Sequence, residues 1–387
     1  MARTAEQGST IAGPVASPAP STVRATLADI GWPPFALTAI ALAALVWFGR
    51  DMTFYHDEFA FLLLRDLSIN GIFSPHNEHL SATLVILYRT LVGMVGTASY
   101  WPYLGVTFLL HVIVAWIVYI VVRREASPVW ALGAMAVVLM LGSGGDDILW
   151  AFQSGTIGAV AAGMAALVVA PRRPAVAAIL LTVGMATSGA WLAFLVGTAV
   201  HLALTRPRAL GWLLLPIGLY AVWYLLFATS AVSAGLHGLV EYVLTGLYAS
   251  AAGALGSTAL VVGEVALLAL VLALGRVWSV PPVVLALLAS GVAFFVIAGM
   301  VRAQLGAEQA TAPRYVYIVA PTLIVAGAVL MARIPKPLGE VVGVAVLVVA
   351  LAGNVALMFE THDRLASKIE CERSMTPIAR GSAGNPC

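Results

Sequence analysis

The chain has 387 residues, 61% of them hydrophobic and only 10% charged, with a mean hydropathy of +0.97 and a net charge of +2. A soluble domain carries roughly a quarter of its residues as charged side chains, so a water-soluble globular fold is excluded. The net charge says little about partners, since in a membrane protein what matters is the side on which each charge sits; no nucleic-acid partner is expected.

Apolar runs of about 20 residues recur along the chain, the length a helix needs to cross a hydrocarbon core of about 30 Å. The expected class is all-α, a polytopic transmembrane protein. The abundance of Ala, Val and Gly points to a bacterial source and hence to the plasma (inner) membrane.

Residues 1–30 are rich in Ala, Pro, Ser and Thr without periodic apolar positions, the composition of a disordered tail. The first run, 32–48, follows a long leader and is not followed by a small-residue cleavage pattern, so it reads as an uncleaved anchor. An outer loop of 50–102 comes next, and within it residues 55–79 read YHDEFAFLLLRDLSINGIFSPHNEH. Asp57, Glu58, Arg65, Asp66 and Glu78 stand there beside His56, His76 and His79, in a chain otherwise poor in charge. Adjacent carboxylates repel, which raises the pKa of one of them and suits it to take a proton from a hydroxyl. Such a pair also fits a helix start, or solvated loop charge. The apolar residues of 58–68 suit an interfacial helix, and Ser74 and Pro75 suit the N-cap and first position of the next one, which carries 80–95.

Orientation follows from the basic residues. Arg123 with Arg124, Arg172 with Arg173, Arg206 with Arg208, Arg276, and Arg333 with Lys336 mark short loops expected on the cytoplasmic side. Keeping all of them on one side makes 80–95 a juxtamembrane helix. About eleven spans result, at 32–48, 103–122, 129–141, 149–169, 175–186, 190–204, 210–229, 258–274, 280–301, 315–331 and 338–359. The N-terminus is inside, and the tail of 360–387 is extracytoplasmic. Asp57, Glu58, Asp66, Glu78, Asp146, Asp147, Glu241 and Glu308 then fall on the outer side, and Glu125 and Glu340 on the inner.

The runs 129–141, 175–186 and 190–204 would extend only about 18 to 23 Å as helices. The turns that follow or separate them, 142–147 and 187–189, should therefore lie below the outer surface and line a wet cleft, since irregular backbone at that depth needs such cover. Asp146 and Asp147, after Gly142, Ser143, Gly144 and Gly145, suit either capping of a helix from Ile148 or substrate binding. Trp150 and Gln153 follow at helical spacing and suit stacking on, or hydrogen bonding to, a sugar, although interfacial aromatics are common in membrane proteins. Within the spans, Glu264 and His111 are functional candidates or paired structural residues, and His201 reads as interfacial.

An acidic pair just after the first span, at the head of a long outer loop, followed by a shorter outer loop with a second acidic pair, resembles the GT-C class of membrane glycosyltransferases. The resemblance covers roughly the first half of the chain: YHDEF, PHNEH, the Arg123 and Arg124 loop, and Gly142 to Asp147 followed by LWAFQ. Arg314 in PRYVYI sits where such enzymes often carry a basic residue near the lipid phosphate. The resemblance implies transfer of a sugar from a polyprenyl-phosphate donor to a lipid, glycan or protein acceptor of the cell envelope. Asp57 would be the general base, with Glu58 the second candidate. A phosphate leaving group needs no general acid but does need cationic stabilisation, for which Arg314, Arg302 and Arg65 are the candidates. The family's frequent extracytoplasmic domain after the last span has no counterpart in 360–387.

His76 and His79, three apart with Glu78 between them, could contribute to a divalent-cation site only with help from Asp146 and Asp147; contacts to sugar hydroxyls are the other role open to them. No cofactor is otherwise implied. Cys371 and Cys387 could pair. The rival reading is a transporter or flippase of a lipid-linked sugar. It rests on Glu264, whereas most acidic residues gather at one face, which favours the enzyme.

Overall fold

The computed structural model describes residues 30–76, 78–228, 235–276, 279–335 and 337–374, and among them every regular element is helical. The helices are α1 (Pro33–Gly49), α2 (Ile69–Phe73), α3 (Ala82–Val95), α4 (Trp101–Glu125), α5 (Pro128–Leu139), α6 (Gly145–Ile148), α7 (Ser154–Val169) and α8 (Pro174–Met185). They continue with α9 (Trp191–Thr205), α10 (Leu214–Phe227), α11 (Leu239–Ala254), α12 (Leu260–Arg276), α13 (Pro282–Arg302), α14 (Pro313–Met331) and α15 (Leu338–Ser374). Proline stands in the first turn of α4, α5, α8, α13 and α14, where its fixed φ helps and its missing N–H costs nothing.

Among the described residues, seven helices are long and apolar enough to cross a membrane: α4, α13, α14, α15, and α5, α7 and α10 counted with the short turns attached to them. The apolar helices α1, α3, α8 and α9 are shorter. Small residues let the helices approach closely, as membrane packing requires in the absence of a hydrophobic drive between helices. A Cβ on Gly197 of α9, for example, would sit 2.6 Å from the Ala286 carbonyl oxygen of α13.

The contacts sort the chain into two ends. At one, Glu125, the last residue of α4, reaches Arg333 after α14 at 3.8 Å, and Arg206 donates to the Pro171 carbonyl at 3.5 Å. At the other, His362 of α15 donates through Nδ1 to the Phe48 carbonyl of α1 at 2.7 Å, and Trp223 of α10 donates through Nε1 to the Phe73 carbonyl of α2 at 2.8 Å. The basic loops meet at the first end and the acidic segment 55–79 at the second.

Several local expectations are corrected. The interfacial helix expected over 58–68 is a single π-helical turn, Ala60–Leu64, followed by an extended break and α2; Leu63, Leu64, Leu67 and Ile69 are exposed along it. Ser74 is the C-cap of α2, and α3 begins only at Ala82, because 76–79 closes a tight turn first. Asp146 and Asp147 lie inside α6, and the long helix beyond them starts at Ser154 after an extended Trp150. The outer stretch 230–257 contains α11. Its first turn meets Gly299 near the end of α13, and its last meets Val316 near the start of α14, so α11 runs across that end of the bundle. The expected tail from 360 continues α15 as helix to Ser374. The disordered segment expected at 1–30 lies outside the described residues except at Ile30, and so does Cys387.

Candidate functional site

The adjacent acids part company. His56 has φ +54, in the left-handed region that costs a non-glycine residue roughly 1 kcal/mol, and the turn it makes sends its two successors in different directions. Asp57 lines a cavity, whereas Glu58 is fully buried. Around Glu58 stand three donors: the Tyr55 amide at 3.0 Å, the Tyr88 hydroxyl at 2.5 Å and the Tyr100 hydroxyl at 3.1 Å. Tyr100 in turn accepts from the Ala151 amide at 2.8 Å, so the carboxyl fastens the first loop to α3 and to the turn before α7. Burial pushes Glu58 up to about 7, and its hydrogen bonds oppose the rise. The raised pKa anticipated for this pair falls on Glu58, and its cause is burial and not repulsion from Asp57.

The cavity, of about 490 Å³, gathers groups from distant parts of the chain. Asp57, His76, Glu78 and His79 come from the first loop, Trp150 and Gln153 from the turn before α7, Arg302 from the end of α13 and Arg314 from the start of α14. The turn 187–189 lines it too, as its shallow helices required. A Cβ on Gly189 would meet His79 Nδ1 at 2.5 Å, so only glycine lets this turn close against the imidazole. The apolar wall is Phe294, Ile297, Ala298 and Val301, one stripe of α13.

Charge in the cavity is divided by sign. Among the described residues, Arg302 and Arg314 form no ion pair, and Asp57 has only His56, at 3.9 Å. Arg314 rests 5.1 Å from the Tyr315 ring. Desolvation within the cavity, with the charge of Arg302 adding to it, lowers His79 to about 4, so its imidazole is neutral at physiological pH. Burial also lowers His76, whose Nε2 is buried without a partner. His76 and His79 exchange backbone hydrogen bonds of 2.9 and 3.0 Å, and Glu78 holds this turn with φ +70. Trp150 lies 4.9 Å from the Tyr55 ring, and its buried Nε1 is near enough to Glu58 to help oppose the rise in that carboxyl's pKa; Gln153 accepts from Thr156 at 2.7 Å.

The remaining candidates stand elsewhere. Arg65 donates to the carbonyls of Gly71 at 3.2 Å, Ser74 at 2.9 Å and Pro75 at 2.8 Å; it organises the loop and does not line the cavity. Asp146 is ion-paired with Arg364 of α15. Asp147 is fully buried, with both carboxyl oxygens unpartnered and the charge of Arg314 acting on it. The turn 142–147 does not line the cavity as expected; its glycines pack on α15 and Tyr317 instead. Within the helices, His111 donates through Nε2 to the Leu139 carbonyl at 3.2 Å and accepts at Nδ1 from Tyr317 at 2.9 Å, a paired structural group. Glu264, on which the transport reading rests, is exposed on α12 and away from the cavity. Sequence reasoning missed Tyr88 and Tyr100, since nothing marks a tyrosine in an apolar run as the partner of a carboxyl tens of residues earlier.

Among the described residues, no three of His, Cys, Asp and Glu come together as a metal-holding group. No protein-family model matches the chain, and neither a curated protein nor a solved structure matches it significantly.

Proposed function

We propose that the protein is a GT-C-like membrane glycosyltransferase of about eleven spans, moving a sugar from a polyprenyl-phosphate donor to an acceptor hydroxyl on the outer face of a bacterial plasma membrane. The observation that carries this reading is that one cavity is lined by a carboxylate, Asp57, and by two guanidiniums, Arg302 and Arg314, that form no ion pair among the described residues. Arg302 is half-buried and Arg314 exposed; two guanidiniums on one cavity without an ion-paired carboxylate favour an anion between them, and a phosphate fits two planar donors. Asp57 takes the proton from the acceptor hydroxyl as it attacks the anomeric carbon, and the phosphate departs toward the arginines without a general acid. A single displacement of the phosphate by the attacking hydroxyl, with no enzyme-bound intermediate, proceeds with inversion. His76, Glu78, His79, Trp150 and Gln153 contact the sugar and acceptor, and Glu58 positions Asp57 without touching either.

Purified protein incubated with a panel of polyprenyl-phosphate sugars and membrane extract should form a new glycosylated product. Asp57→Asn should lower the rate by about 10²–10⁴-fold while leaving insertion and melting unchanged. Full activity in both Asp57→Asn and Glu58→Gln would remove the base. Arg314→Ala should raise KM for the donor more than for the acceptor; an unchanged donor dependence excludes it from phosphate binding.

A further inference from the structure

At the end of the bundle remote from Asp57, a second cavity of about 240 Å³ opens between α4, α7, α9 and α13. Arg124 from the last turn of α4 and Arg172 from the turn between α7 and α8 line it, and each guanidinium feels the charge of the other. Among the described residues neither forms an ion pair, and the acid on the lining, Glu125, pairs with Arg333. The first turn of α13, at Pro282 and Val283, completes the wall, adding the positive end of a helix dipole and the Val283 N–H; Pro282 has none, and those of Val284 and Leu285 go to the Pro281 carbonyl. The site thus carries two cations in like-charge proximity, a situation that a bound anion relieves.

The other polar groups are acceptors. His201, 7% exposed, donates through Nδ1 to the Leu167 carbonyl at 2.8 Å, which leaves the lone pair of Nε2 available on the cavity side. The Thr205 hydroxyl gives its hydrogen to the His201 carbonyl at 2.6 Å and likewise keeps only lone pairs for a ligand. Val121, Val168 and Val283 supply apolar wall between them. Donors for a phosphate, acceptors for a hydroxyl and an apolar border together match one kind of molecule. We infer that this cavity binds the headgroup of an anionic phospholipid, a phosphate diester bearing hydroxyls, at the basic end of the bundle. The phosphate lies between Arg124 and Arg172, and a headgroup hydroxyl donates to His201 Nε2 or Thr205. This site is independent of the transfer reaction and of the cavity at Asp57.

Native mass spectrometry of the full chain tests it, with phosphatidylglycerol, phosphatidylcholine of the same acyl chains, and inorganic phosphate as probes. Phosphatidylglycerol should be retained over phosphatidylcholine, and R124Q/R172Q should weaken it about thirty-fold, the effect of two basic contacts to an anionic headgroup. R208Q/R276Q removes the same charge from the same end outside the cavity and should leave retention within about twofold. Equal retention of the two lipids, or equal weakening by the two double variants, would overturn the assignment. Inorganic phosphate displacing the lipid at equal concentration would make the site one for a free ion and overturn the lipid source. Should R124Q/R172Q melt abnormally, Arg172→Gln alone, in an exposed turn, serves: weakening supports the site and unchanged retention sinks it.

Discussion

A buried carboxyl with three donors is a stability element with a definite pH signature. Glu58 titrates near 7 in the folded chain against an ordinary value of 4.5, so the folded state holds this proton more tightly than the unfolded one does. Its contribution is therefore most favourable at low pH, falls as pH climbs from about 4.5 to about 7, and levels off above. Glu58→Gln has no proton to lose, so the decline of its melting temperature between about pH 5 and about pH 8 should be shallower than that of the parent chain. Parallel curves would remove the buried proton. What was legible at this scale was the acidic pair itself, conspicuous in a chain where charge is scarce. Which member faces the cavity was not legible, because it depends on the left-handed turn at His56 and on Tyr88 and Tyr100, which arrive from other elements.

Among the helices, the run of glycines at 142–145 shows how little a composition reading reveals of packing. It suggested a turn lining the cleft, yet each glycine is a place where another element comes too close for a side chain. A Cβ at Gly142 would lie 2.4 Å from the Met358 amide nitrogen, and at Gly145 it would strike Thr361, both in α15. Backbone cannot yield as a flexible side chain can, so Gly142→Ala should destabilise by about 1–3 kcal/mol or more. Gly211→Ala, with nothing near its Cβ position, should leave the melting temperature within about 2 °C. Equal melting of both variants would show that α15 does not dock tightly there. The same docking explains why α15 remains helical past its apolar section: His362 and Arg364 anchor it to α1 and to Asp146. α11 escaped notice for a related reason. Its Gly and Ala face is buried against α12, α13 and α14, and a short helix lying across the bundle has no hydropathy run to announce it.

For the whole molecule, the proposed orientation puts the acidic end outside and the basic end inside. Ser99, exposed before α4, and Ser127, exposed before α5, lie at opposite ends of α4 and report on this directly. In a chain with Cys371 and Cys387 replaced by serine, Ser99→Cys should react with an impermeant maleimide in intact cells and Ser127→Cys only after permeabilisation. The reverse pattern would turn the protein over and place the cavity of Asp57 in the cytoplasm. Hydropathy and the placement of arginines alone determined that the chain is a bundle of membrane helices with an acidic and a basic end, because both are local properties of apolar runs and the loops between them. Tertiary structure decided the rest: that Asp57, Arg302 and Arg314 share a cavity, that Arg65 and Asp146 are engaged elsewhere, and that Glu58 is held inside. Residues hundreds of positions apart meet only through helix packing, and no periodicity along one chain encodes which faces of which helices will touch.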